Sequence, residues 1–475
     1  MGRNIPAQGN ALGNRPPTNP SPEGAAQGWR IVKLEDVADI RSGNGFPIKY
    51  QGRTEGEFPF FKVGDISRNW QKGMITLTNG EHCLTQAEVK AIRAKTLPAG
   101  SVVFAKIGAA VALNRRAILG VESLVDNNVM ALVPAATTTS RFLFYFMCQV
   151  DLGASTRGGA VPSLRRGDVA DLEIPLPPLP EQRRIVARIE ELFSRLDAGV
   201  AALRQAKAQL QRYRQSVLAA AVTGQLTQAW REQHPDTEPA EKLLERILNQ
   251  RREQWNGRGK YKEPVAPTTD HDLPENWVSA TSDQLLQFVT SGSRGWAEYY
   301  SEEGAIFLRI GNLEHEDIAL DLDDIQRVMP PEGAEGSRTR VQTNDILISI
   351  TADVGMVALV DTDIGEAYIN QHVALARPSD EVNPRFLAWL FASKPTKVQW
   401  KLLQRGATKV GLGLDDIRAV QLGLPPLAEQ YQIVAEVEAR TTAIDHLEAE
   451  LDRKITRSNR LRQSTLAAAF AGNLL

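Results

Sequence analysis

The chain has very little cysteine. Cys83 and Cys148 are its only two in 475 residues, which leaves no disulfide framework and no CxxC-type zinc site, and suits a reducing cytoplasm. Histidine is almost as scarce, with six residues and no repeated cluster, so no metal site is expected. No stretch is long and apolar enough to span a bilayer, and the opening residues lack the apolar core of a signal peptide. Met1-Gly2 would suit N-terminal myristoylation, but Pro6 stands where that motif needs Ser or Thr. Neither sign of charge dominates: 55 Lys and Arg meet 57 Asp and Glu, for a net charge of −2. A basic field over the whole molecule is thereby excluded, and any nucleic-acid contact must come from local patches.

The signatures of common chemistries are missing as well. There is no Walker-A loop, no GxGxxG after a strand, no HExxH and no GxSxG. NNVM (Asn127 to Met130) and NQHV (Asn370 to Val373) lack the Pro-Pro-aromatic ending of an amino-methyltransferase motif. An independent catalytic activity is not expected.

What the chain does have is a sequence written twice. PLPPLPEQRRIV, from Pro175, returns as GLPPLAEQYQIV, from Gly423, and RQSVLAAAVTGQL, from Arg214, returns as RQSTLAAAFAGNL, from Arg462. Glu181 pairs with Glu429 and Gly224 with Gly472, both 248 residues on. The stretch between has kept its length, as a ruler would, whereas loops tolerate insertion. Trp29 pairs with Trp277 at the same offset, and KVGDI (Lys62 to Ile66) resembles RIGNL (Arg309 to Leu313) more loosely. The fold class expected is mixed α/β (α+β): two globular domains, each followed by a long helix, in a pseudo-two-fold tandem repeat.

Heptad spacing marks the helices. Ile189, Leu196, Leu203, Leu210 and Val217 form one seam beside Ile185 and Leu192, and the second copy carries Ile433, Val437, Ile444, Leu447, Leu451 and Leu461. Pro180 and Glu181 suit a first turn, and Gly224 and Gly472 suit helix terminators. The boundaries expected are a flexible tail (1–28), a first globular domain (29–178), a helix (179–226), a connector (227–276), a second domain (277–426) and a second helix (427–475). Glycine-punctuated apolar runs from Gly100 and Asn344 predict strands, while RFLFYFMCQV (Arg141 to Val150) and RFLAWLFAS (Arg385 to Ser393) predict short buried helices. The connector predicts one amphipathic helix around Ala240 to Arg252.

The duplicated PPLxEQ-helix-AAAxxG unit, over nearly the whole chain from Trp29 to Leu475, resembles the specificity subunit of type I restriction–modification systems. The resemblance implies two target recognition domains, each reading one half of a split double-stranded DNA site. The helices, paired antiparallel as a coiled coil, would space them and bind methyltransferase (modification) subunits. It implies no cofactor on this chain. S-adenosylmethionine would sit on the methyltransferase subunits, and ATP and Mg on restriction/translocase subunits, all in the cytoplasm. A coiled-coil adaptor that never touches DNA would explain the helices, but not two diverged modules on equal arms.

Candidate DNA-binding residues follow from charge and position. Lys394, Lys397, Lys401, Arg405 and Lys409 recur every three or four residues, one face of a helix, as phosphate contacts would or as a solvated face would. The stripe stands out because 277–426 is otherwise acidic by about eight charges, while 29–178 is basic by about four. In the first domain Lys106, Asn114, Arg115 and Arg116 cluster at an expected hairpin, where Arg and Asn could read base edges or simply build a polar turn. The RGGA and RGAT loops add Arg157 and Thr408. SGNGFP (Ser42 to Pro47) and SGSRGW (Ser291 to Trp296) occupy equivalent places and add Asn44 and Arg294, while the KVGDI and RIGNL pair adds Lys62 and Arg309.

Overall fold

The computed structural model describes residues 28–474 except 155–161, 256–259, 269–271, 293, 330–335, 337 and 404–410. The chain divides into two compact units, Met1–Leu203 with Asp452–Leu475, and Arg204–Leu451.

In the first unit five strands lie side by side in the order Ala38–Ser42, Val129–Pro134, Val102–Ala105, Arg116–Leu119 and Thr76–Leu77. All neighbours are antiparallel except the last pair. Val102–Ala105 is buried at every position, so its sequence VVFA reads as an unbroken apolar run rather than an alternation. The second unit repeats the pattern with Leu286–Ser291, Val373–Pro378, Ile346–Ser349 and Val357–Leu359, all antiparallel. Each unit adds a parallel pair, Phe58–Phe61 with Leu124–Val125 and Ala305–Leu308 with Ala367–Ile369. A two-stranded clasp then joins the beginning of each module to its end: Arg30–Lys33 to Glu173–Leu176, and Val278–Thr281 to Gln421–Leu424. The chain therefore enters and leaves each module at one place, at the foot of a long helix.

The repeated motif builds that foot. The short buried helices form at Ser140–Gln149 and Pro384–Ala392, capped by the side chains of Thr139 and Asn383. The amide of fully buried Gln182 accepts from the Thr139 N–H (2.9 Å) and donates to the carbonyls of Thr137 (2.9 Å) and Pro177 (3.0 Å). Its counterpart Gln430 accepts from the Asn383 N–H (2.9 Å) and donates to the Pro425 carbonyl (3.0 Å). The glutamine of PPLxEQ thus ties the long helix to the helix cap of its own module. Arg141 with Glu190, and Arg385 with Glu438, add an ion pair a little over two turns further along.

The long helices run Leu179–Val222 and Leu427–Phe470, 44 residues each, or about 66 Å at 1.5 Å per residue. Gly224 (φ +76°) and Gly472 (φ +78°) lie in the left-handed region that ends a helix. In the first unit Ile185, Val186 and Ile189 share a core with Phe142, Phe146, Leu466, Ala469 and Phe470. In the second, Val217, Leu218 and Ala221 share one with Phe386, Ile433, Val434 and Val437. In both, the opening turns of one helix meet the closing turns of the other, so the pair is antiparallel. Burying each large side chain at these contacts is worth about 1.5–3 kcal/mol. In the connector, Ala240–Glu253 forms the expected amphipathic helix, with Ala240, Leu243, Leu244 and Ile247 turned into the second core.

The seam needs one correction. Ile185, Ile189, Val217, Ile433, Val437 and Ile444 are buried, and Leu192, Leu196, Leu203, Leu210 and Leu451 are half-buried. Leu447 and Leu461 are 49% and 43% exposed and do not belong to it. The covered stripe of the second helix instead runs Val437, Thr441, Ile444, Glu448, Leu451, Ile455, Ser458, Arg462, Leu466. Polar residues hold places on it because they are paired. In the second unit Arg214 meets Asp445 and, at 3.6 Å, Glu448; in the first Arg462 meets Asp197. Asp197 and Asp445, like Arg214 and Arg462, are 248 residues apart, so the interhelical ion pair is itself part of the repeat.

Candidate nucleic-acid interface

At one edge of each sheet, equivalent loops meet in the same hydrogen-bond frame. In the first module the turn Asp126-Asn127-Asn128 precedes the strand Val129–Pro134. The Asp126 N–H donates to the Phe61 carbonyl (3.0 Å), the Val129 N–H to the Asp126 carbonyl (3.0 Å), and the Asn128 N–H to the Asp126 carboxylate (2.8 Å). In the second module Asn370-Gln371-His372 precedes Val373–Pro378. The Asn370 N–H donates to the Leu308 carbonyl (3.0 Å), the Val373 N–H to the Asn370 carbonyl (3.1 Å), and the His372 N–H to the Asn370 side-chain oxygen (3.0 Å).

The neighbouring loops repeat as well. The Asn128 carbonyl accepts from the Lys106 N–H, and the His372 carbonyl from the Ile350 N–H, each at 2.9 Å. Gly43 and Gly292 donate to the carbonyls of Val129 (3.1 Å) and Val373 (3.3 Å). Both must be glycine: a Cβ would lie 1.9 Å from the Asp126 carbonyl oxygen at Gly43, and 2.1 Å from that of Ile369 at Gly292. Gly43 and Gly292 are thus wedged against the turns.

Basic groups surround the first frame. Lys62 donates to the Gln51 side-chain oxygen (2.7 Å) and stands over the Phe46 ring; Lys106 Nζ donates to Ser42 Oγ (3.1 Å). Burial pushes the Asp126 carboxyl up, and nearby Lys62 partly offsets this. Half-buried Asn44 pairs with Asp126 through an isolated bridge and donates to the Lys95 carbonyl (3.4 Å). Around the second frame, Arg294 is exposed, Arg309 faces Asp324 at 3.6 Å, and Arg338 donates to the Ser291 carbonyl (3.1 Å).

Residues 26–209 and 334–457 match the family described as the type I restriction modification DNA specificity domain. The chain belongs to this family. It is a specificity chain, not an enzyme, and its relatives bear that name. It is 25% identical over 460 residues to the EcoBI specificity subunit of Escherichia coli, covering 94% of this chain and 86% of that one. It is 24% identical over 339 residues to the StySPI specificity subunit of Salmonella potsdam, covering 68% of this chain and 62% of that one. Among solved structures, the HsdS subunit from Thermoanaerobacter tengcongensis is similar, with 21% identity, a TM-score of 0.50, and 94% of this chain and 98% of that one covered. A chain from a study of complex assembly and conformational transition of the type I R-M system has 20% identity and a TM-score of 0.61, covering 94% and 99%. These likenesses show that the fold is shared.

Not every specificity-family residue singled out by the sequence sits at the frame. Arg116 does not offer a DNA contact: it is 1% exposed, and its guanidinium donates to the carbonyls of Asn114 and Val150. Burial depresses its pKa, and the nearby Cys148 and Asp151 offset this only in part. Asn114, at φ +52°, is also committed to the fold, since its amide donates to Asp151 (2.9 Å) and accepts from the Leu152 N–H (2.8 Å). The hairpin itself is real, and Arg115, half-buried, is the residue it leaves available.

The basic stripe of the second module is only partly a surface. Lys394–Leu403 is a helix held down by buried Thr396 and Trp400, with Pro395 in its first turn, where proline is tolerated. Lys394 and Lys401 are exposed. Lys397 is half-buried, its pKa lowered by burial, and its ammonium donates to the His315 carbonyl (3.0 Å). It fastens the helix to the acidic stretch Glu314 to Asp324 rather than reaching outward. That stretch is itself anchored, with Ile318 in the second core and the Glu316 carbonyl accepting from Arg214 (3.4 Å). Arg157, Arg405, Thr408 and Lys409 lie outside the described residues.

The turns 126–128 and 370–372 are not among the candidate contacts read from the sequence, where DNNVMALVP and NQHVALARP count as a repeat and as a rejected catalytic motif. The usable signal was their equal place in the repeat, directly before equivalent buried strands. No group of side chains able to hold a metal ion occurs among the described residues, and none of their helices is long and apolar enough to cross a membrane.

Proposed function

We propose that this chain chooses the DNA sequence for a type I restriction–modification complex by reading a split double-stranded site. Each recognition module reads one half, and the paired helices set the spacing. Adenine methylation and restriction are carried out in the cytoplasm by partner subunits, with S-adenosylmethionine on the methyltransferase and ATP and Mg on the restriction/translocase subunits. One observation carries the reading: two modules with the same loop frame, but different side chains on it, each hang from the foot of an equal-length helix. Identical frames with different surfaces are what two different half-sites require. Asn44, Lys62, Lys106 and Arg115 in the first module, and Arg294, Arg309, Lys394 and Lys401 in the second, are the candidate contacts among the described residues. Positioning on phosphates falls to the lysines, and Arg and Asn suit base edges.

The test is a genome-wide map of N6-methyladenine in cells with and without this gene, keeping the methyltransferase partner in both. Methylation at one split motif should vanish with the gene. Identical maps, with the chain expressed and bound to its partner, would sink the reading and leave a coiled-coil adaptor.

A further inference from the structure

We propose that the two turns Asn127-Asn128 and Gln371-His372 are specificity-determining, each reading bases in the half-site of its own module; this rests on the function proposed above. Four observations point the same way. The frames correspond bond for bond: each turn is fixed by three backbone N–H groups, one of them closing onto a side-chain oxygen of the first residue, Asp126 or Asn370. The backbone frame itself uses no side chain of the second and third residues; the third residues add bonds of their own, Asn128 to the Asp126 carboxylate and His372 to Thr351 Oγ1. Both positions differ between the modules, Asn-Asn against Gln-His, whereas the first residue, Asp126 or Asn370, differs in type but gives the same side-chain oxygen to the frame. The residues after them, Val129 and Val373, are buried and unchanged. Different heads on the same hydrogen-bonded scaffold separate reading from folding.

The chemistry of the heads fits base edges. Asn and Gln amides match the donor–acceptor pair of adenine in the major groove. Asn127 is exposed, and Asn128, Gln371 and His372 are half-buried. In the second module the heads are ordered by one another. The Gln371 amide nitrogen lies 3.1 Å from His372 Nε2, and Thr351 Oγ1 lies 2.6 Å from His372 Nδ1. An amide N–H can only donate, so Nε2 accepts, and Nδ1–H donates to Thr351. The Gln371 amide is thereby oriented before DNA arrives, which lowers the entropy cost of using it. The surroundings are those of a backbone-binding surface: Lys62 and Lys106 border the first turn, and Arg309 and Arg338 the second.

The experiment uses the full chain with its methyltransferase partner and reads the methylated motif in cells. Gln371→Ala and His372→Ala should each relax one base position of one half-site by about tenfold in relative methylation, the lower range expected of a lost bidentate contact. The other half-site and the spacer should stay as they were. Asn127→Ala and Asn128→Ala should do the same in the opposite half-site. The exchange Gln371→Asn with His372→Asn keeps amide heads on the same frame and should change the preferred base rather than abolish methylation. An unchanged motif with methylation reduced equally at every site would overturn the assignment, because a turn that only supports the fold cannot alter sequence preference. A wild-type map without a split motif would instead overturn the function on which the assignment rests.

Discussion

Arg115 and Arg116 are adjacent and chemically identical, yet Arg116, the first residue of its strand, is buried in the module, while Arg115, just before the strand, is half-buried. Replacing Arg116 with alanine removes two hydrogen bonds to buried carbonyls and leaves a cavity, so a loss of about 2–4 kcal/mol is expected, read as a lowered thermal midpoint. Arg115→Ala should leave stability within about 0.5 kcal/mol. If Arg115 touches a phosphate, the slope of log affinity against log salt should fall by about one unit. Wild-type stability in Arg116→Ala would contradict the buried role. Sequence could not have separated the two, because the difference depends on where the strand begins and on the distant Val150 carbonyl that the fold brings to Arg116.

At the scale of elements, the repeated Glu-Gln pair shows one motif in two environments. Gln182 and Gln430 are both fully buried and do the same work at the foot of their helices. Glu429 is fully buried too. It accepts from Trp277 Nε1 (2.8 Å) and Thr227 Oγ1 (2.6 Å), and pairs with Arg231, which also donates to the Gly224 carbonyl (2.7 Å). One carboxylate thus gathers the start of the second helix, the end of the first and the connector, all within one unit. Glu181, its counterpart, is only half-buried. Glu429→Ala should therefore cost about 3 kcal/mol or more by stranding Arg231 and two further donors, against about 1 kcal/mol or less for Glu181→Ala. Urea unfolding midpoints of the two variants measure the difference; equal losses would mean that the hub adds nothing. The existence and length of both long helices were legible from heptads and glycine stops. The covered face of the second was not, because Leu447 and Leu461 are apolar yet exposed, while Glu448 and Arg462 are charged yet paired.

At the scale of the whole molecule, the helices should behave as a measure. A four-residue insertion in the middle of both adds about 6 Å of helix, close to two base pairs at 3.4 Å each. The methylated motif should then gain one or two base pairs in its unspecified spacer, with both half-sites unchanged. A change in the half-site bases would show that the helices also take part in reading. The sequence by itself determined the architecture: a duplication at a constant offset of 248, two equal helices and two mixed α/β modules. Those features reside in periodicity and repetition, which survive without coordinates. Tertiary structure alone decided which polar residues face outward. Arg116, Asn114 and Lys397 were spent on carbonyls and a carboxylate contributed by segments distant in the chain or across a turn, while the plain-looking turns at 127–128 and 371–372 were held up on a shared frame. A side chain's availability depends on whether the fold has already claimed its hydrogen bonds, and those partners are assembled only when strands pair.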